Sequence, residues 1–159
     1  MIGFIAYFAL WQPWKKRRLF VAAQKDLLED TQSAYEAAEQ KLIKALEAGM
    51  AKKDIAEAKF ALAYTRSRLG KYAEAALELA NLRATGHISP ESLYLELRLH
   101  LQLEEYAKVD EFYKEYKQHL LTFRDSQYLF SMAFYERARE LWNSREIEEA
   151  IRCFDILRE

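Results

Sequence analysis

Residues 69–74 read Leu-Gly-Lys-Tyr-Ala-Glu, and residues 103–108 read Leu-Glu-Glu-Tyr-Ala-Lys. The two stretches share Leu, Tyr and Ala at their first, fourth and fifth positions, so the pattern recurs after 34 residues (103 minus 69). A fixed period of about 34 residues in a helical sequence is typical of stacked helix-turn-helix units. Such a stack presents a surface that holds a partner, which predicts binding rather than chemistry.

The composition agrees with a single helical domain of 159 residues. Only 4 Gly and 2 Pro are present, too few for a turn-rich β fold, and the abundant Ala, Leu, Glu, Lys and Arg favour helix. The formal net charge of −1 gives no sign of nucleic-acid binding. Cys153 is the only cysteine, so an internal disulfide is excluded, and we expect its thiol to be buried.

Local signals predict where the helices begin and end. In residues 15–48 no Gly or Pro marks a turn, which favours one long helix; the alternative is two helices that meet near residue 31, with Ser33 and Glu36 as a capping box. Gly49 ends this region. Asp54 is predicted to cap a helix that runs to Leu69. The remaining signals predict a turn at Gly70, a helix over 72–84 closed by Gly86, a start at Ser89-Pro90, and helices over 90–103, 106–120, 126–143 and 146–158.

The recurring positions resemble the tetratricopeptide repeat (TPR) family over about residues 31–159. The matching residues are Leu62, Ala63, Gly70, Tyr72 and Ala75, then Leu97, Tyr106 and Val109, then Ala138, Ile147, Ala150 and Phe154, with Tyr35, Ala38, Leu42 and Ala45 as a degenerate first unit. Glu104 stands where the family has a turn glycine. The resemblance implies an all-α fold for residues 19–159, a right-handed superhelical stack of antiparallel helix pairs (an α-solenoid).

The third unit and the last helix depart from a regular array. The third turn follows the second by 41 residues (147 minus 106), and we expect the seven extra residues to lengthen the first helix of that unit by about two turns. The outward face of the last predicted helix carries Ile147, Ile151, Phe154 and Leu157. This face predicts a contact with another molecule.

The TPR resemblance also implies where a partner binds, because the first helix of each unit lines the concave groove. By position, the groove residues are Phe60, Tyr64, Arg68, Tyr94, Arg98, Gln102, Tyr135, Arg139 and Trp142. Aromatic and Arg side chains are common interface anchors, so we expect a peptide or helix with acidic and apolar groups. The family's carboxylate clamp needs Lys and Asn, which Phe60, Tyr64, Tyr94 and Arg98 do not supply.

Residues 1–18 form an apolar segment with a basic flank. Its marked positions are Phe4, Ile5, Phe8, Trp11, Trp14, Lys15, Lys16, Arg17 and Arg18. As a helix, residues 1–14 would span about 21 Å, short of the roughly 30 Å of a bilayer core. The segment therefore spans a membrane incompletely, lies on it, or packs on protein. The basic flank favours a membrane contact with the repeat domain in the cytoplasm.

No pattern for catalysis, a metal or a cofactor is found in the sequence. His87, His100 and His119 lack metal-ligand spacing, and no phosphate-binding loop is present. The sequence therefore predicts a non-catalytic scaffold that is tethered to a membrane and recruits a protein partner, similar in architecture to small bacterial inner-membrane TPR proteins. The alternative is a soluble cytoplasmic adaptor whose N-terminal arm docks on an obligate partner or on a second copy.

Overall fold

The computed structural model describes residues 17–157, which contain eight α-helices and no strand. This confirms the all-α fold class. The helices are α1 (17–27), α2 (Gln32–Glu47), α3 (Lys52–Arg68), α4 (Tyr72–Ala84), α5 (Pro90–Gln102), α6 (Tyr106–Leu120), α7 (Ser126–Asn143) and α8 (Ile147–Ile156). Contacts divide the described chain into two compact units, unit 1 (17–87) and unit 2 (88–157), and each is described by itself.

In unit 1, apolar side chains of α1, α2 and α3 form one core. Phe20 and Ala23 of α1 pack with Ala38 and Leu42 of α2 and with Leu62 of α3. The α2 and α4 helices each pack against α3. The helical spacing of these residues places them on inward faces, as the sequence pattern predicts.

A turn separates α1 from α2. The expectation of one long helix over 15–48 was therefore wrong, and the alternative of two helices that meet near residue 31 is confirmed. Asp30 adopts a left-handed backbone with φ of 48°, and the Thr31 side chain accepts a hydrogen bond from the Ala34 amide at 3.2 Å. Asp tolerates this conformation and Thr is an effective N-cap, so the turn forms without Gly or Pro. Thr31, rather than Ser33, therefore caps the second helix.

A charge network around the buried Glu39 joins three helices of unit 1. Glu39 of α2 is buried and accepts from Arg66 Nε at 3.3 Å and from Lys71 Nζ at 2.7 Å. Arg66 also lies 3.4 Å from a Glu74 oxygen and 3.7 Å from a Glu78 oxygen, both on α4. Because Arg66 belongs to α3, its guanidinium links α2 and α4 through opposite charges.

Two predicted helix starts have different outcomes. At α5, the Ser89 side chain accepts from the Ser92 amide while Ser92 Oγ accepts from the Ser89 amide, and Pro90 is the first helical residue. This capping box confirms the predicted start. At α3, Asp54 lies inside the first turn, and Ala51 precedes the helix. The carboxylate therefore complements the helix dipole and does not cap the helix.

Three turns that join the two helices of a hairpin share one backbone geometry, at Gly70, Glu104 and Arg145. Their φ angles are 75°, 57° and 65°, all in the left-handed region. After each turn residue, the next amide donates to the carbonyl five residues earlier, as in a Schellman motif. The pairs are Lys71 to Arg66, Glu105 to His100, and Glu146 to Leu141, each at 2.9 Å. The end of α4 has this geometry too, since Gly86 has φ of 81° and the His87 amide donates to the Leu82 carbonyl at 3.2 Å. The turn predicted at Gly70 thus recurs twice without glycine.

Buried small or apolar residues lie at equal distances from these three turns. The pairs are Ala63 with Ala75, Leu97 with Val109, and Ala138 with Ala150, each 12 residues apart (75 minus 63) and each residue at most 1% exposed. The helices that carry each pair pack against each other: α3 with α4, α5 with α6, and α7 with α8. Three helical hairpins are therefore built in one register.

The seven extra residues between the second and third turns are shared between two helices, α6 of the second hairpin and α7 of the third. The α7 helix has 18 residues against 13 in α5, and α6 has 15 against 13 in α4. The gains are therefore five (18 minus 13) and two (15 minus 13). The expectation that the first helix of the third unit contains all seven extra residues was wrong, because both helices beside the connector 121–125 are longer than their counterparts.

Candidate functional site

The α7 helix of unit 2 exposes a row of large side chains along its length. The row consists of Tyr128, Met132, Tyr135, Arg139 and Trp142, at alternating steps of four and three residues. Tyr128 is 68% exposed and Trp142 is 57% exposed. This set is called the α7 row below. Steps of four and three keep side chains on one face of a helix, so the row is continuous.

The opposite face of α7 is also apolar and is buried. Phe130, Phe134, Ala138 and Leu141 belong to the core of unit 2. Tyr113 of α6 meets the rings of Phe130 and Phe134 edge-on, with centroids 4.9 Å and 5.0 Å away. Because core packing holds α7 from behind, the α7 row is presented on a rigid helix.

The α7 row contains three predicted groove residues and two that the sequence reasoning missed. Tyr135, Arg139 and Trp142 were predicted, whereas Tyr128 and Met132 were not. Tyr128 lies seven residues before Tyr135 (135 minus 128), and Met132 lies three before it (135 minus 132). This helical spacing was the signal that could have identified both.

The predicted groove residues of α5 include one with a mainly structural role. Tyr94 stacks on Phe123 with centroids 4.5 Å apart and donates its hydroxyl to Asp125 Oδ2 at 2.5 Å. Burial raises the pKa of the Tyr94 phenol. Tyr94 therefore fastens α5 to the connector 121–125. Arg98 is exposed, with its guanidinium 6.0 Å from the Tyr94 ring, and Gln102 is exposed at the end of α5.

In unit 1, the predicted groove residue Arg68 is bonded within the chain. Its Nη2 lies 3.0 Å from Asp30 Oδ1, and its Nε donates to the Tyr35 hydroxyl at 3.1 Å. Tyr35 donates in turn to Asp30, and that bond raises the pKa of Tyr35 to about 12. Tyr64 lies edge-on to Tyr35 at 6.4 Å, and Phe60 is half-buried. These contacts fasten α3 to the turn before α2.

The structure therefore brings the predicted groove residues together in two sets. Phe60, Tyr64 and Arg68 share α3 in unit 1, and the other six lie on α5 and α7, which pack against each other in unit 2. Arg139 keeps an ion pair with Glu136 at 2.6 Å. The most exposed predicted aromatic residues lie on α7, where Tyr135 is 53% and Trp142 is 57% exposed, against 38% for Tyr64 on α3.

Most of the predicted membrane segment lies outside the described residues. Phe4, Ile5, Phe8, Trp11, Trp14, Lys15 and Lys16 belong to residues 1–16, and Arg17 and Arg18 are exposed at the start of α1. Among residues 17–157, no helix combines the length and the apolar content that crossing a membrane requires.

The buried titratable groups His100 and Cys153 of unit 2 lie in structural surroundings. His100 is buried, and its Nδ1 lies 2.8 Å from Glu105 Oε2, next to the second repeated turn. Lys108 and His100 hold the pKa of Glu105 below its usual range. Burial raises the pKa of the Cys153 thiol, which keeps it protonated and unreactive. Within residues 17–157, no three His, Cys, Asp or Glu residues are placed to hold a metal ion.

A cleft of about 440 Å³ lies between α6, α7 and α8. Acidic and basic side chains line it in equal number, and several pair with each other. Lys114 lies 2.7 Å from Asp110, and Arg152 lies 3.3 Å from Glu149. These two pairs include four of the six charged side chains that line the cleft.

The chain matches no protein-family model, no curated protein and no solved structure. The functional argument therefore depends on the geometry of the chain's own residues.

Proposed function

We propose that the chain is a non-catalytic, TPR-like scaffold that holds an apolar helix or peptide of a protein partner against the α7 row. The observation that carries the proposal is the continuous exposure of five large side chains on one helix face. Monomeric proteins rarely expose contiguous apolar patches of this kind unless the patch binds something.

The dimensions of the α7 row suit a helical partner. Tyr128 and Trp142 are 14 residues apart (142 minus 128), which is about 21 Å along a helix. Alternating steps of four and three residues are the spacing by which one helix packs along another. Tyr, Trp and Arg are the side chains that most often dominate binding energy. Arg139 adds a positive charge near one end of the row and favours an acidic group on the partner.

The repeated hairpins support the TPR-like part of the proposal. Three turns with left-handed residues at 70, 104 and 145 are each followed by the same hydrogen bond. Hairpins of one design tend to stack, because each has an apolar face that a neighbour must cover. A stack of this kind is an established type of protein-binding surface, whereas nothing in its design requires catalysis.

Site-specific photo-crosslinking tests the binding face. A benzoylphenylalanine at position 135 replaces the exposed Tyr135, and the matched control carries it at position 118, where Gln118 is exposed on α6. We expect one discrete protein adduct from position 135 in native membranes and none from position 118. The adduct should be lost when Tyr128 and Met132 are both replaced by Ala. Equal adducts at both positions, or none at either, would refute the proposal.

We also propose that residues 1–18 tether the scaffold to a membrane, with the helical units in the cytoplasm, as in bacterial inner-membrane assemblies. Trp11 and Trp14 beside the basic residues 15–18 support this, because such belts mark membrane edges. Membrane fractionation of the full chain is compared with that of an F4D/F8D variant. The full chain should need detergent for release, and the variant should not. A full chain that is free of membranes and self-associates through this segment would favour the soluble adaptor.

A further inference from the structure

The outward face of α8 is apolar and exposed. Ile147, Ile151 and Phe154 lie at steps of four and three residues, and Ile151 is 49% exposed. These three residues are called the α8 face. Leu157, which the sequence pattern grouped with them, is half-buried and packs against the core of unit 2. The α8 face is therefore shorter than the sequence indicated, and it shares no residue with the α7 row.

The hairpin register shows what such a face contacts elsewhere in unit 2. Phe154 lies nine residues after its turn residue Arg145, and Tyr113 of α6 lies nine after Glu104 (113 minus 104). Tyr113 is covered by Phe130 and Phe134 of α7, at interplanar angles of 78° and 88°. Phe154 thus holds the position on α8 by which Tyr113 of α6 contacts the next helix, and Phe154 is 38% exposed.

The charges beside this position differ between the two helices. On α8, Glu149 and Arg152 pair with each other in the cleft, so Glu148 and Asp155 carry the helix's net charge of −2 (one minus three). Its counterpart α6 carries three Lys against three acidic residues, so it is balanced apart from His119. A helix that docks on α8 therefore meets acidic side chains in excess, whereas α7, which packs on α6, meets a balanced set.

We propose that the α8 face binds an amphipathic helix of a partner protein, with two aromatic residues four positions apart and basic residues beside them. The aromatic pair takes the place on α8 that Phe130 and Phe134 take on α6. The basic residues complement the net charge of α8. The inference goes beyond the proposed function, because it concerns a second face with its own occupant and its own variants.

A labelled peptide serves as the probe. It has the sequence of α7, Ser126–Asn143, with Glu136 and Glu140 replaced by Lys, and its binding to the full chain is followed by fluorescence anisotropy. We expect saturable binding that Ile151→Asp weakens at least tenfold. Leu121→Asp is the matched control, because Leu121 is equally exposed, at 49%, after the end of α6. It should leave binding unchanged.

Two further variants keep the test decisive. Phe154→Ala removes the ring without adding a charge, and it should also weaken binding. This variant keeps the inference testable if Ile151→Asp disturbs the fold. A probe in which Phe130 and Phe134 are both Ala should bind at least tenfold more weakly. A probe that keeps both glutamates should bind more weakly at low salt, and the difference should disappear at high salt.

Other outcomes would overturn the inference. These are absence of probe binding, equal weakening by Leu121→Asp, or equal binding at low salt of the probe with both glutamates and the probe with both lysines. A chain that forms dimers which Ile151→Asp separates would assign the α8 face to a second copy instead. Because none of these variants touches the exposed α7 row of the chain, a negative result here leaves the crosslinking result at position 135 unaffected.

Discussion

Exchange of the turn residues at positions 70 and 104 tests whether the first two repeated turns are equivalent. Gly70 has φ of 75°, and a Cβ added there would meet no atom within 4 Å. Gly70→Ala therefore carries only the backbone strain of a left-handed residue, about 1–2 kcal/mol. Lower entropy of the unfolded chain offsets about 0.4–1 kcal/mol of this. We expect a loss of roughly 0.5–1.5 kcal/mol in the free energy of unfolding.

The reverse change at the second turn should have the opposite sign. Glu104 has φ of 57°, so Glu104→Gly relieves the same strain and should raise the free energy of unfolding by up to about 1 kcal/mol. For a chain of this length, 1 kcal/mol corresponds to roughly 2–4 °C in Tm. Denaturant unfolding of the full chain, followed by circular dichroism, measures both variants.

A glycine at a regular helical position is the control. Lys108 lies on α6, four residues after Glu104, and is exposed. Lys108→Gly should destabilise the chain by about 1 kcal/mol, because glycine is a poor helix former. If Glu104→Gly destabilises the chain as much as Lys108→Gly does, left-handed strain is not the property that the turns share. If Gly70→Ala has no effect, the same conclusion applies to the first turn.

Three other perturbations have defined outcomes. Glu39→Gln should lower the free energy of unfolding by about 1–3 kcal/mol, since Glu39 is buried and accepts from two cations; denaturant unfolding measures it. Asp30→Asn should lower the pKa of Tyr35, which is about 12, in a spectrophotometric titration. The folded state holds the Tyr35 phenolic proton more tightly than the unfolded chain does, which stabilises the fold. This contribution to stability is complete below about pH 10 and is lost as the pH rises to about 12. Replacement of both Arg98 and Arg139 by Glu should abolish partner capture, measured by pull-down, without loss of helicity.

Two of these outcomes have a control at an exposed position. Glu74 also lies near Arg66 but is 56% exposed, so Glu74→Gln should change stability by less than about 1 kcal/mol. An unchanged Tyr35 titration in the Asp30 variant would show that the bond to Asp30 does not raise the pKa. Arg124→Glu, in the connector 121–125, should leave partner capture intact. If it abolishes capture as well, net charge rather than the groove residues controls binding.

Helix ends with a local chemical signature could be predicted from the sequence. Ser89-Pro90 begins α5 because the cap involves only neighbouring residues. The turn at Glu104 was located without glycine, because the register of the repeat carried it over from Gly70. The break at Asp30 was given only as the alternative to one long helix, since no Gly or Pro marks the left-handed turn there.

The candidate site could be predicted only where exposure follows from helix spacing. Tyr135 and Trp142 are exposed on α7, whereas Arg68 and Tyr94 are bonded to acids 38 and 31 residues away in the sequence. Such partners depend on tertiary folding, which periodicity does not show. Tyr128 was missed because the groove positions carried over from the family were limited to a shorter helix.

The added residues in the third hairpin lengthen its exposed surface without changing how its two helices pack. Ala138 and Ala150 keep the same distances to their turn as in the shorter hairpins, and all the added length lies at the other end, beside the connector 121–125. Tyr128 and Phe130 belong to the part of α7 that α5 lacks. One insertion therefore supplies both an exposed ring and the buried ring that supports it. A repeat can in this way change the length of partner that it contacts while the crossing of its two helices stays unchanged.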